Sequence, residues 1–310
     1  MGARGSPLTP HAKFVDETLR DGLQNPSVTD PTAEQKLELV EHMVALGIDH
    51  VNVGLPVSSP RNREHAEALC RAIARQRLPI LPIAAGRTVV GDLVPIVEIA
   101  QRTGIAPAAY AFLGGSEIRC WVENWRTDTL VQRTRDAVAF ATGEGLEVCF
   151  VTEDTTRAHP GTLRALWTAA LDAGAHRLCL ADTVGHATSS GVRNLVLFAR
   201  TVTTECGRPE VGLEWHGHND RGLALDNALW AIEYGVERIH ATALGVGERT
   251  GNTCMELLLL NLWLSGVRPL PDPSALDRYA ECASRITCWP GRAPSSQRTA
   301  AEWATLLPCK

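Results

Sequence analysis

Leu163-Arg164-Ala165-Leu166-Trp167-Thr168-Ala169-Ala170-Leu171-Asp172-Ala173-Gly174-Ala175-His176-Arg177-Leu178-Cys179-Leu180-Ala181 contains the unit from which most of the chain is built. Residues 163–173 carry apolar side chains at helical spacing, Gly174 stops them, and 177–181 is an apolar run of strand length. Glycine supplies the left-handed backbone that commonly ends a helix. The same order of helix, glycine and strand recurs around Gly47, Gly104, Gly145 and Gly235.

Outward from that unit, the spacing predicts helices over 31–46, 61–75, 93–103, 128–142, 191–203, 223–234 and 252–264. Strands are expected over 13–19, 48–53, 80–85, 108–113, 146–151, 211–215 and 238–243. Asp30 is the expected N-cap of the first helix, with Pro31 in its first turn. Alternating units of roughly 30 residues imply a parallel sheet with right-handed crossovers. Eight of them in about 250 residues fit a closed (β/α)8 barrel, the TIM-barrel fold. A doubly wound open sheet is the alternative, but no G-x-G-x-x-G follows the first strand. Residues 1–12 are expected to be a flexible N-terminus and 13–265 the catalytic barrel. Residues 266–310 read as a short C-terminal extension, with Pro269, Pro271 and Pro273 at its start and one more helix over 275–286. Trp289-Pro290-Gly291, Pro294-Ser295-Ser296 and Pro308 follow.

Hydrophobic residues make up 45% of the 310 and charged ones 21%, which suits a soluble globule. The net charge of −5 and the absence of a basic stretch argue against nucleic acid as a partner. Nine cysteines without paired spacing fit reduced thiols in the cytoplasm. Residues 1–10 hold one arginine and no apolar core, unlike a secretory signal. The longest apolar run, 257–264, is broken by Asn261 and is too short to cross a membrane.

In closed barrels of this kind, chemistry sits at the C-terminal ends of the strands. Polar groups cluster there: Arg20-Asp21, Glu153-Asp154 with Arg157, Asp182-Thr183, His216 with His218, and the loop 245–252. His216 and His218 alternate on a strand, so both imidazoles face one way. Followed by Asn219-Asp220, they point to a metal. A carboxylate from the 16–22 stretch is expected to meet them. Two imidazoles, one carboxylate and one amide suit Mn²⁺, Mg²⁺ or Zn²⁺ with open positions, acting as a Lewis acid. Taken alone, Arg20 beside Asp21 also reads as a surface ion pair.

Asp16-Glu17-Thr18-Leu19-Arg20-Asp21-Gly22, His216-Gly217-His218-Asn219-Asp220 and Gly247-Glu248-Arg249-Thr250-Gly251-Asn252 together resemble the metal-dependent acyl-CoA barrel family, the DRE-TIM metallolyases. That family contains 2-isopropylmalate, homocitrate and citramalate synthases and hydroxymethylglutaryl-CoA (HMG-CoA) lyase. The likeness runs over 14–264 and is closer to the synthases. It implies Asp21, His216 and His218 as metal ligands, with Asn252 near or on the metal. It further implies Arg20 as the group that stabilises the oxyanion and Glu153 as a carboxylate near the acetyl donor. Thr183 would hold the carboxylate of a 2-oxo acid, and Gly247 would let backbone approach the substrates. Arg157 reads either as an anion contact or as a loop salt bridge. The implied reaction is a Claisen condensation of acetyl-CoA with a 2-oxo acid, in a homodimer.

The chain departs from the family pattern in three places, and its 112–119 stretch also differs. It has no histidine after His240, where the synthases draw a base from a C-terminal subdomain. The large regulatory domain of isopropylmalate synthases is missing, so feedback inhibition of that kind is not expected. Leu23 stands where synthases usually carry an acidic residue, as in the lyase, although the lyase's Gly-Gly-Cys-Pro loop is replaced by the synthase form; Cys254 just beyond reads as a packing residue. Arg119 is a candidate contact for an extra negative charge on the oxo acid, or a solvated loop arginine. Two other readings remain: a carbon–carbon lyase or aldolase, and a catalytically silent barrel.

Overall fold

The computed structural model describes residues 12–269 and 272–289. Strand β1 (Lys13–Asp16) leads to α1 (Ala33–Ala45), β2 (His50–Asn52) to α2 (Pro60–Gln76) and β3 (Leu81–Arg87) to α3 (Val90–Thr103). Strand β4 (Ala108–Gly114) is followed by the short α4 (Glu117–Val122) and by α5 (Thr127–Gly143). Then come β5 (Val148–Glu153), α6 (Pro160–Asp172), β6 (Arg177–Asp182), α7 (Ser189–Glu205), β7 (Gly212–Gly217) and α8 (Ala224–Glu233). Strand β8 (Arg238–Ala241) leads into α9 (Met255–Leu264) and α10 (Pro273–Thr287). The strands pair in chain order and in parallel, and β1 closes on β8 from Lys13 opposite Arg238 to Asp16 opposite Ala241. This is the closed TIM barrel read from the repeat.

The glycines do what the repeat requires. Gly47, Gly104, Gly145, Gly174 and Gly235 all have positive φ, between 68° and 99°, where a side chain would strain the backbone. The start of α1 differs from expectation. Thr32, not Asp30, is the cap, and it forms a capping box with Gln35. Asp30 instead holds Lys36 at 2.7 Å and Arg61 at 3.1 Å. Strand β1 ends at Asp16 rather than Leu19, because the chain turns there: the Arg20 and Gly22 amides both donate to the Glu17 carbonyl.

Apolar side chains fill the space between barrel and helices, with Trp167 wholly buried and donating to Thr152 Oγ1 at 2.8 Å. The barrel interior is apolar at one level, around Val15, Ile83, Ala108, Tyr110, Cys149 and Cys179. Helix α10 lies against α1, and its buried Tyr279 hydroxyl donates to the Asp16 carboxylate. Burial pushes the Asp16 carboxyl up to about 7. The 257–264 run lies in α9, and among the described residues no helix is long and apolar enough to cross a membrane. Residues 1–11, Pro271 and the motifs over 290–310 lie outside the described residues.

Candidate functional site

The alternation of β7 aims His216 into the barrel mouth, and His218 follows it just past the strand end. Their Nε2 atoms are 3.2 Å apart, and Asp21 Oδ2 lies 3.4 Å from the first and 3.5 Å from the second. All three residues are buried, so the surface reading of the Arg20–Asp21 pair is corrected. Each offers a ligand atom within 4.8 Å of the others. Asn252 is brought beside them by a backbone bridge to His218. Among the described residues, Asn252 Oδ1 is buried without a hydrogen-bond partner. Buried polar atoms without partners are costly, and this donor set of imidazole, carboxylate and amide fits a divalent cation.

Charge favours the same reading. Burial acts to raise the Asp21 carboxyl, but the Arg20 guanidinium and the two histidines hold it well below the usual carboxylate range. Burial lowers the His218 imidazole to about 4, so at neutral pH it is uncharged, the form a metal would require. The backbone comes close to these side chains at one glycine: a Cβ on Gly247 would sit 2.3 Å from Asn252 Oδ1 and 2.9 Å from Asp21 Oδ1. Gly247→Ala should therefore weaken Mn²⁺ binding by roughly tenfold or more, the scale of a disturbed ligand shell, with the melting temperature little changed. Calorimetric titration showing wild-type affinity would refute this.

Behind Asp21, His216 and His218 runs a chain of buried charges. Arg20 donates from Nε to Glu17 at 2.7 Å and from Nη1 to Asp21 at 3.0 Å. Glu17 also accepts from Asn52 at 3.0 Å, and its other face meets His240 Nδ1 at 3.0 Å. His240 Nε2 meets Glu214 at 2.9 Å. Glu214 in turn takes the Tyr110 hydroxyl at 2.5 Å, Arg238 at 3.2 Å and the Arg177 guanidinium. Burial opposes ionisation of Glu17, yet Arg20 and His240 bring it down to about 2. Burial likewise opposes the charge on His240, but the Cys179 sulfur and the two carboxylates raise it well above the usual histidine range.

Glu17, Arg20, Asp21, His216, His218 and His240 line a pocket of about 120 Å³. Its other wall is apolar: Leu55, Ala85, Phe112, Val151 and Ala181. Thr183 lines it too, its Oγ1 accepting from the Asp154 amide at 2.7 Å. Glu153 reaches in from the end of β5, its carboxyl raised by burial. Arg157 is not brought to the pocket. It forks onto Asp154 with two bonds of 2.8 Å, which is the loop salt bridge. Arg119 is not there either. It lines an adjoining cavity of about 590 Å³, which shares Phe112 and Glu153 with the first, and its guanidinium lies over Trp125 at 5.6 Å. Cys254 donates to Glu256 at 2.9 Å and its thiol is pushed up by burial, so it is a packing residue. Glu17, Asn52, His240 and Glu248 line the pocket but were not singled out in the sequence. The period-2 spacing of Arg238 and His240 in β8, which puts both inside, was the available signal.

The HMGL-like family model matches residues 11–282. The chain is 33% identical over 267 residues to a 2-isopropylmalate synthase of Xanthomonas campestris pv. campestris, a match covering 86% of this chain and 50% of the relative. It thus spans about half the length of the curated relatives it matches. An HMG-CoA lyase of Acinetobacter baumannii, solved with coenzyme A and 3-methylmalate, superposes with a TM-score of 0.75 at 22% identity over 100% of both chains. Hydroxymethylglutaryl-CoA lyase of Pseudomonas aeruginosa gives 0.75 at 20% identity, covering 96% of this chain and 99% of that one.

Proposed function

This chain belongs to the HMGL-like family, and from that premise we propose that it is an acyltransferase condensing acetyl-CoA with a 2-oxo acid to a 2-alkylmalate. One observation carries this reading: Asp21, His216 and His218 converge beside Arg20, with Glu153 lining the same pocket. Asp21, His216, His218 and Asn252 would hold Mn²⁺, Mg²⁺ or Zn²⁺, which supplies Lewis-acid polarisation of the ketone when bound.

The chain's own groups account for the rest. Thr183 Oγ1 accepts from a backbone amide, so its proton is left to donate to the oxo acid's carboxylate. The Arg20 guanidinium, aimed by Glu17 and Asp21, donates to the ketone oxygen as it becomes an alkoxide. Glu153, made more basic by burial, takes a proton from the thioester methyl. The carbanion attacks the ketone carbon, the alkoxide gains a proton, and water cleaves the thioester to release CoA.

A base must be deprotonated to act, so kcat/KM should rise with pH as Glu153 passes through its raised pKa. Glu153→Gln should remove that acid limb and lower kcat by roughly 10²- to 10⁴-fold; an unchanged profile would assign the proton to another group. The deciding experiment is thiol release from acetyl-CoA with a panel of 2-oxo acids and each metal. The cleavage reading, favoured by Leu23, gains if no oxo acid elicits CoA while a hydroxyacyl-CoA or hydroxy acid is split.

A further inference from the structure

Glu17 is the hinge of the buried charge chain. It takes the Arg20 Nε at 2.7 Å, and Arg20's other bonded nitrogen is 3.0 Å from Asp21. Those two carboxylates fix the plane of the guanidinium, as an arginine fork fixes its partners. Glu17 must then be fixed itself. Asn52 holds it from β2, and His240 holds it from β8, where both ring nitrogens face carboxylates: Nδ1 faces Glu17 at 3.0 Å and Nε2 faces Glu214 at 2.9 Å. A ring placed between two acceptors carries both protons. Glu214 cannot yield, because Tyr110, Arg177 and Arg238 hold it from three other strands.

We propose that His240 is a positioning residue: clamped against Glu214, it sets the Glu17 carboxylate and through it the aim of Arg20 at the reacting carbonyl. The inference rests on the condensing role of Arg20 given above. The contact that matters is the ion pair from Nδ1, 3.0 Å from Glu17 although not aligned as a hydrogen bond, so the two amide replacements separate. Asparagine places its amide nitrogen near the Nδ1 position and keeps the contact to Glu17. Glutamine reaches the Nε2 position and keeps only Glu214. A side chain that merely filled space would not rank them in that order.

The test measures kcat, the oxo-acid KM and metal content of His240→Asn and His240→Gln, alone and combined with Arg20→Ala. His240→Gln should lose roughly 10- to 100-fold in kcat, a part of what removal of an oxyanion donor costs, with KM and metal content close to wild type. His240→Asn should retain most of the rate. In the Arg20→Ala background His240→Gln should cost nothing further, because coupled residues are not additive. Equal losses for the two amides, or a glutamine loss repeated without Arg20, would overturn the assignment. A second measurement needs no turnover: the Arg20 Nε–H proton resonance, assigned by its loss in Arg20→Lys, should shift and broaden in His240→Gln and persist in His240→Asn. If the wild type proves inactive with every substrate pair, the condensation reading fails while this resonance still decides the role of His240; a resonance indifferent to His240→Gln refutes it.

Discussion

Alanine at His216 or His218 is expected to strip the protein of its divalent metal, and turnover with it. Each imidazole presents Nε2 to one point, 3.4 and 3.5 Å from the same Asp21 oxygen. Disturbing only an outer partner of a metal ligand costs roughly 10- to 100-fold in affinity. Removing the ligand itself should cost more, leaving one imidazole and one carboxylate with the Asn252 amide. The fold should survive, since both rings lie at the barrel mouth, past most of the β7 ladder, and their ring contacts are with one another, Asp21 and, for His216, His240. Metal analysis of dialysed protein, with circular dichroism as the control for folding, reads this directly. A metal stoichiometry unchanged in either variant would break the assignment of the centre.

Loss of Arg20 is the second large effect, and it should leave the metal in place. Its guanidinium is the cation aimed at the pocket between Glu17 and Asp21. Removing one oxyanion donor costs roughly 10²- to 10³-fold in kcat, and Arg20→Ala should fall in that range or below it. The substitution also strips a cation from two buried carboxylates, and breaking a buried pair costs about 3–5 kcal/mol. Part of that is offset, because Glu17 keeps Asn52 and His240. Arg20→Lys separates the two consequences. It retains the charge and most of the stability but not the fork, so its kcat should still fall well below wild type. A Lys variant of wild-type rate would make Arg20 a structural cation.

The barrel was legible because its signals are local. A glycine after each of five helices and, after two or three intervening residues, a strand are written in nearby positions. The paired histidines were legible for the same reason. Helix α4 was not: six residues are too few to show a period, and its Ile118, Trp121 and Val122 are exposed rather than turned to a core. The cap of α1 is not fixed by the sequence alone, because Asp30 and Thr32 are both good cap residues; the reciprocal bond with Gln35 decides between them. The partners of Arg157 and Arg119 are not legible in sequence, since a rim arginine's partner, in a turn or on the short α4, is fixed by the fold around it. The interior charges were hidden for a related reason. Glu17, Glu214 and His240 look like ordinary solvated residues until β1, β7 and β8 stand side by side.

That interior wiring makes the eighth strand indispensable in a way its four residues do not advertise. Glu17 and Glu214 come from opposite flanks of β8, and the imidazole between them and the Arg238 guanidinium are both its gift. Without β8, Glu17 would keep Arg20 and Asn52 and Glu214 would keep Arg177 and Tyr110, but each would lose the cations that β8 supplies, so sealing the cylinder also completes the neutralisation of its axis. Relocating the chain ends to the junction before β8 should therefore delay refolding more than relocating them to any helix-to-strand junction in the first half of the sequence.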